Sequence, residues 1–289
     1  METQPGMHQH PYFNLRLHDD AELERLVGAA LARRQTLHEW PLSCVHKLTL
    51  ADGRCLVYKA AYGPTVEAEF YARAHSPLLL PARTVYQQDG YACLLLEWVG
   101  APRLEDLALP EGEMLALIEE ILDAIASIQG DLPYYLDLRS ASAWQDAMDE
   151  MLANLQRLLE EGKLHQLTAQ ALQAFQGWAQ APEVLEALAE NPGLAHTDLG
   201  GDNILVTPQG LRVIDWQRPI HGPRALDRLR LLESAGIGLD GRVSTGILRV
   251  QRLLSIHWLA EAASRWFPEG VETYDRQIAL LAEQLAEGS

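Results

Sequence analysis

The sequence predicts an α+β fold of two lobes, a small antiparallel β lobe with one key helix and a larger, mostly helical lobe. Three observations predict it. Strand-like stretches crowd the first 96 of the 289 residues. From residue 111 onward, apolar residues recur mainly at helical spacing. One short hairpin, residues 204–214, interrupts those helices and is opened by a loop of Asp, Gly and Asn.

In chain order, Leu48-Thr-Leu50 and Cys55-Leu-Val-Tyr-Lys59 flank the turn Ala51-Asp-Gly53 and predict a β-hairpin with Lys59 ending its second arm. Thr65–Ala74 has helical spacing that sets Glu67, Phe70 and Tyr71 on one face. Glu67 shares the side of the two aromatics and is preferred over Glu69 as the partner of Lys59. Arg83–Tyr86 and Tyr91–Leu96 read as two more strands, and Glu97-Trp-Val-Gly100 as a hinge. The organisation expected is therefore 1–96 as the first lobe, 97–100 as hinge and 101–289 as the second lobe. Helices are expected over 111–129, 141–161, 163–180 and 182–190, from near Pro223, and over 244–266 and 270–287.

The chemistry concentrates in His196-Thr-Asp-Leu-Gly-Gly-Asp-Asn-Ile-Leu-Val206 and Leu211-Arg-Val-Ile-Asp-Trp216. Asp198 and Asn203 flank Gly200-Gly201, where backbone without a Cβ bends sharply enough to bring both side chains to one side. Ile204–Val206 runs as a buried strand, Thr207-Pro-Gln-Gly210 turns, and Leu211–Ile214 returns antiparallel, so Asp215 ends beside Asn203. A carboxylate at Asp198 orients an attacking hydroxyl. The amide oxygen of Asn203 and the carboxylate of Asp215 are hard oxygen donors suited to magnesium beside nucleotide phosphates. His-x-Asp-x-x-x-x-Asn with an apolar strand ending in Asp is the spacing of a phosphoryl-transfer loop.

Together these residues resemble the aminoglycoside phosphotransferase and choline kinase-like superfamily, over about Ser43 to Asp227 and most densely over 196–216. The resemblance implies a protein-kinase-like fold and transfer of the γ-phosphoryl group of ATP, with GTP as the alternative, to a small-molecule hydroxyl. It makes Asp198 the catalytic base, with His196 bracing its loop. Asn203 and Asp215 become the Mg2+ ligands, and Lys59 with Glu67 the phosphate-binding ion pair. Backbone groups of Glu97 and Val99 would read the nucleotide base. Gly222-Pro-Arg-Ala-Leu-Asp227 is similar to the family element in which a final Asp braces the catalytic loop.

Two departures stand out. Leu37–Lys47, where a glycine-rich phosphate loop belongs, contains no glycine, leaving Ser43 to offer a hydroxyl. Asp215 is followed by Trp216 and Gln217 rather than Phe-Gly. Only eleven residues separate Asp215 from Asp227, too few for an activation segment or peptide-docking element, and Gly200 stands where protein kinases carry a lysine. A small acceptor is expected. The rival readings are a non-catalytic nucleotide-binding protein and a kinase acting on protein.

Composition bounds the function further. The net charge of -17 is concentrated in residues 101–200, which hold 4 Lys/Arg against 18 Asp/Glu. Such a field favours a cationic acceptor, an aminoglycoside or amino alcohol, or else is solvated helix surface. No basic stripe exists for nucleic acid. No apolar run approaches the roughly 18 residues of a membrane span, and the first eleven residues lack the pattern of a secretory signal. Three unpaired cysteines, Cys44, Cys55 and Cys93, fit buried thiols and a cytoplasmic enzyme. His8 and His10 read as part of a solvated tail, carrying no metal argument. Trp258 and Trp266 stand as core or as an aromatic cage, with Tyr274 and Asp275 as pocket candidates.

Overall fold

The computed structural model describes residues 6–287 and is the α+β, two-part fold the sequence predicts. A first compact unit runs to Leu107 and includes Ser127–Tyr135 and Asp202–Arg218. A second takes Ala108–Ala126, Leu136–Gly201 and the chain from Pro219 onward.

The first unit opens with a short antiparallel hairpin, β1 (Met7–Gln9) and β2 (Arg16–His18), and helix α1 (Asp20–Val27). Asp19 caps α1 by accepting the Glu22 N–H at 2.8 Å, and Gly28 ends it in the left-handed region. A five-stranded antiparallel sheet follows, built from β3 (Leu31–Trp40), β4 (Ser43–Leu50), β5 (Cys55–Tyr62), β6 (Ala82–Gln88) and β7 (Tyr91–Glu97). Its order is β3-β4-β5-β7-β6, with helix α2 (Glu67–Arg73) lying between β5 and β6 in the chain. The hairpin Ile204–Thr207 and Gly210–Val213 also belongs to this unit.

The two faces of the sheet carry different loads. Tyr58, Ala60, Cys93 and Leu95 alternate onto one face and meet Leu15, Leu17 and Leu23 of the amino-terminal segment. Ala92, Leu94 and Leu96 take the other face with Ala68 of α2. The amino-terminal segment is therefore ordered, which corrects the expectation of a solvated tail. Its apolar positions had a sheet to cover, and its polar groups find partners: the His18 N–H donates to Tyr58 Oη at 3.0 Å and Tyr91 Oη to Asn14 Oδ1 at 2.7 Å. His10 is 5% exposed, stacks on Phe13 and pairs with Glu39 of β3. His8 remains exposed in β1.

His10, Glu39 and Cys44 stand close enough to suggest a metal centre, with His46 adjoining. The hydrogen bonds argue otherwise. Backbone N–H groups of Tyr12 and Phe13 donate to His10 Nδ1, and Arg34 Nε donates to His46 Nδ1 at 2.9 Å. Both rings then carry their proton on Nε2, the atom facing the cluster, where a metal would need a lone pair. The group is a clasp between β3, β4 and the amino-terminal segment.

Burial, with Arg34 beside it, pushes the His46 pKa down to about 4 from its ordinary 6.5. A depressed folded pKa means that the unfolded chain takes up a proton first as pH falls through 6.5, and stability is lost until the folded ring also protonates near 4. The loss from His46 alone is about 3 kcal/mol. Chemical denaturation at pH 7, 5.5 and 4.5 is expected to show it, with a smaller slope in His46→Asn; an unaltered slope would sink the assignment.

The second unit is mostly helical: α3 (Glu111–Ala126), α4 (Ala141–Glu160), α5 (Ala169–Ala179), α6 (Pro182–Ala189), α7 (Ala225–Ser234), α8 (Thr245–Glu261) and α9 (Val271–Glu287). In α4 the buried stripe is Trp144, Ala147, Met148, Met151, Leu155 and Leu158, a three-and-four spacing. Each such large side chain removed from water contributes roughly 1.5–3 kcal/mol. Gly246 lets α8 approach α6, since a Cβ there would stand 2.1 Å from the Glu183 carbonyl oxygen. Helix α5 starts six residues later than expected. The Asp275 carboxylate accepts the backbone N–H groups of His165 and Gln166 at 2.7 and 3.0 Å, which holds the preceding segment as a turn, and Thr168 then caps the helix. Asp275 is 3% exposed and is structural, not a pocket residue. Helix α8 also ends early, widening into a π-helical turn over Ala262–Trp266 in which Trp266 Nε1 donates to Glu261 Oε1 at 3.1 Å.

A small sheet threads these helices. Strand Ile220–Pro223 lies between Leu136–Asp137, parallel to it, and Pro192–Ala195, antiparallel to it. Among the described residues no helix is long and apolar enough to cross a membrane.

Candidate active site

Lys59 sits in the middle of the sheet of the first unit. Register pairs it with Val45 on β4 and Leu94 on β7, so its side chain leaves by the face that carries α2. There it forms an ion pair with Glu67 at 2.6 Å and a second with Asp215. Glu67 is 1% exposed, whereas Glu69 points outward to Gln87 and Arg73. The alternation of α2 explains the difference, because Glu67 shares the buried side with Phe70. Burial opposes the Lys59 charge, but Asp215 and Glu67 outweigh it and leave the ammonium's pKa above its ordinary value. The same two carboxylates, added to burial, raise the Tyr71 hydroxyl well above the usual range.

Asp215 is placed by its neighbours in the chain. Its φ of 70° lies in the left-handed region, uncommon for a residue with a side chain. Trp216, fully buried, stacks on Phe70 with ring centres 4.4 Å apart, and its Nε1 donates to the Val213 carbonyl at 3.1 Å. Gln217 donates from Nε2 to Asp215 Oδ1 at 2.8 Å, and its carbonyl accepts the Val66 N–H at the start of α2. The residues that depart from Phe-Gly thus fasten Asp215 to the helix bearing Glu67. Asn203 lies on the same unit, and its carbonyl accepts the Ile214 N–H at 3.0 Å, next to Asp215 in the chain.

Ser43 is on the Lys59 face, paired across the sheet with Ala61 and, on the other side, with Trp40. Trp40 Nε1 donates to Ser43 Oγ at 2.6 Å, and the Leu42 carbonyl accepts the Tyr62 N–H at 2.9 Å. A side-chain hydrogen bond and a closed turn therefore shape the tip of this glycine-free hairpin. Glu97 ends β7, exposed, with its N–H donating to the Pro81 carbonyl at 3.0 Å; Val99 follows two residues on, half-buried. Lys47 places its ammonium 3.9 Å from the ring centre of Trp98, a cation-π contact between β4 and the segment after β7 that no motif announces.

The loop carrying Asp198 belongs to the second unit as far as Gly201. Strand Pro192–Ala195 delivers His196, and the neighbouring strand Ile220–Pro223 runs directly into α7, which carries Asp227. Asp227, 1% exposed, accepts the His196 and Thr197 N–H groups at 2.8 Å each. Burial raises its pKa against the pull of those contacts. Thr197 has φ 69°, unusual for a β-branched residue, while neither Gly200 nor Gly201 has positive φ. Thr197 thus takes the left-handed conformation, its N–H held by the Asp227 carboxylate, and Gly201–Asn203 follow as a 3-10 turn. Asp198 follows with its side chain 59% exposed and Arg230 of α7 beside it at 3.6 Å. His196 itself is 2% exposed. Trp258 lies on α8 and Trp266 in the π-helical turn.

Against this geometry stands a family model described as the phosphotransferase enzyme family, which matches residues 65–263. The chain belongs to that family. Solved structures similar to this phosphotransferase include a thermostable mutant of aminoglycoside phosphotransferase APH(4)-Ia in ternary complex with ADP and hygromycin B. It is 16% identical over 93% of this chain and 98% of its own, with a TM-score of 0.61. A choline/ethanolamine kinase family protein from Mesorhizobium loti is 14% identical over 93% of each chain, with a TM-score of 0.62. A protein described as a fructosamine-3-kinase from Thermobifida fusca is 22% identical over 93% of this chain and 98% of its own, with a TM-score of 0.50. These likenesses are likenesses of fold. No curated protein sequence matches the chain closely enough to compare. The chain is thus a phosphotransferase on a kinase-like fold.

Proposed function

We propose that this phosphotransferase moves the γ-phosphoryl group of ATP to a hydroxyl of a small, cationic acceptor of the aminoglycoside or amino-alcohol type. The observation that carries the reading is the buried Lys59, paired with Glu67 on one side and Asp215 on the other. A lysine so held stays charged where polyphosphate must be neutralised, and Asp215 remains partly exposed, at 34%, to meet a ligand. Ser43 adds a hydroxyl on the same face. Asn203 and Asp215 offer the oxygen donors that magnesium prefers, and the ion, when bound, offsets phosphate charge. The Glu97 carbonyl and Val99 N–H, at the boundary 97–100, hold the purine.

Asp198 takes the proton of the acceptor hydroxyl as its oxygen bonds to the γ-phosphorus, the bond to the bridging oxygen breaks, and ADP leaves. His196 and Asp227 keep the loop in place for that step. The acceptor's cationic character is supported by the acid-rich helices: Glu113, Glu120, Asp123, Asp146 and Asp149 are all exposed. Several others, Glu111, Glu119 and Glu183 among them, are already paired with arginines and contribute less.

Phosphate transfer from Mg-ATP to hygromycin B, spectinomycin, choline, ethanolamine, a neutral sugar and a nucleoside tests the acceptor class. For a cationic acceptor, kcat/KM should fall steeply as salt rises, since screening shortens to about 8 Å at physiological ionic strength, while kcat changes little. A neutral best acceptor, or a flat salt response, removes the acidic field from the mechanism.

A further inference from the structure

Arg230 extends its guanidinium from α7 toward Asp198, with Nη2 3.6 Å from Oδ1. Its Nη1 donates to Glu233 Oε2 at 3.0 Å, one turn further along the same helix. Its Nε is buried with no hydrogen-bond partner. The group is therefore aimed by its own helix, only partly satisfied, and 35% exposed on the side chain. The base loop contains no cation of its own, Gly200 standing where a protein kinase carries lysine. Helix α7 supplies one from outside the loop.

We infer that Arg230 is a positioning residue for phosphoryl transfer, acting through Asp198: its guanidinium holds the carboxylate so that one oxygen faces the acceptor hydroxyl. The inference rests on the reading of Asp198 as the base. Three features make the placement more than a surface ion pair. Asp227, which fixes the His196 and Thr197 amides, lies three residues before Arg230 on the same helix, so the loop and its cation move as one body. The Arg230 charge also reaches Asp227 itself, where it lowers a pKa that burial has raised. Glu233 occupies Nη1 and leaves Nη2 toward Asp198, and a planar guanidinium fixed by its own helix holds a carboxylate's orientation where a lysine would hold only its position.

The test uses the full chain with Mg-ATP and water as the acceptor, so that ADP release is read whatever the natural acceptor is. Arg230→Ala should lower kcat about tenfold to a hundredfold, the usual effect of letting a reacting group drift, with Mg-ADP affinity unchanged. Arg230→Lys should fall between, and added guanidinium ion should restore part of the kcat of Arg230→Ala. In an Asp198→Asn background, Arg230→Ala should cost nothing further, because the group it positions is gone. Turnover of Arg230→Ala equal to wild type overturns the inference, as does a loss that is lysine- and guanidinium-insensitive or adds fully to that of Asp198→Asn. Asp198→Asn retaining its turnover would instead overturn the base assignment, whatever Arg230 does.

Discussion

Asp198→Asn is expected to bind nucleotide as the wild type does and to lose turnover by about 10² to 10⁴-fold, the range of a general base. The substitution keeps size and hydrogen-bonding reach but removes the lone pair and charge that take the hydroxyl proton. The geometry makes the variant a clean one. Asp198 is the exposed tip of a loop whose shape is set elsewhere, by Asp227 accepting the His196 and Thr197 amides at 2.8 Å. The left-handed Thr197 keeps its two restraints when Asp198 is changed. Lys59, Ser43 and Asp215, which the proposed function assigns to the nucleotide, lie in the other unit of the chain. Mg-ADP calorimetry and ADP release with a working acceptor check both halves. Near-normal turnover would remove Asp198 from the mechanism, and lost nucleotide binding would show that the loop does more than present a base.

The parts of this molecule that were legible in the sequence are those fixed by local pattern. A continuous apolar run disclosed β7, which is buried on both faces of the sheet, and three-and-four spacing disclosed α4, which buries one side against its neighbours. Strand β3 escaped notice for the opposite reason. As an edge strand it exposes Arg33, Gln35, His38, Glu39 and most of its other residues, so it carries charge where a central strand carries valine. The amino-terminal cap escaped because its apolar positions answer to the face of a sheet formed later in the chain.

The site divides in the same way. His196, Asp198, Asn203 and Asp215 announce themselves by spacing, and the turn of α2 singles out Glu67. The contacts of α7 with the loop of Asp198 do not, since they depend on Ile220–Pro223 pairing with Pro192–Ala195 and so bringing α7 to the loop. Asp227 was legible only through a family resemblance, and Arg230 not at all. The left-handed Thr197 was not legible, because that conformation usually recruits glycine, whereas here a buried carboxylate holds a threonine in it.

Asp215→Asn should lower kcat/KM by about a thousandfold, since a bound metal's charge is worth several kcal/mol at the transition state and each tenfold is about 1.4 kcal/mol. Its sharper consequence is a reversal of sign. Asp215 is a carboxylate on the side of the chain where phosphates are to bind, and without magnesium it repels them. With magnesium present it would hold the ion, and its charge would turn from hindrance to attraction. Asn at 215 loses both effects, so ADP without magnesium should bind the variant more tightly than the wild type, and Mg-ADP more weakly. Asparagine is the right substitute because it tolerates the left-handed φ of 70°. Alanine does not share that tolerance, so Asp215→Ala should add a loss of stability to the same loss of metal. Lys59 still has Glu67 at 2.6 Å in either variant, so its ammonium keeps one carboxylate partner. Calorimetry of ADP binding with and without magnesium decides the matter. Equal shifts in both conditions would make Asp215 merely a second counterion for Lys59, and the crossing of the two affinities would identify it as the residue that faces the metal.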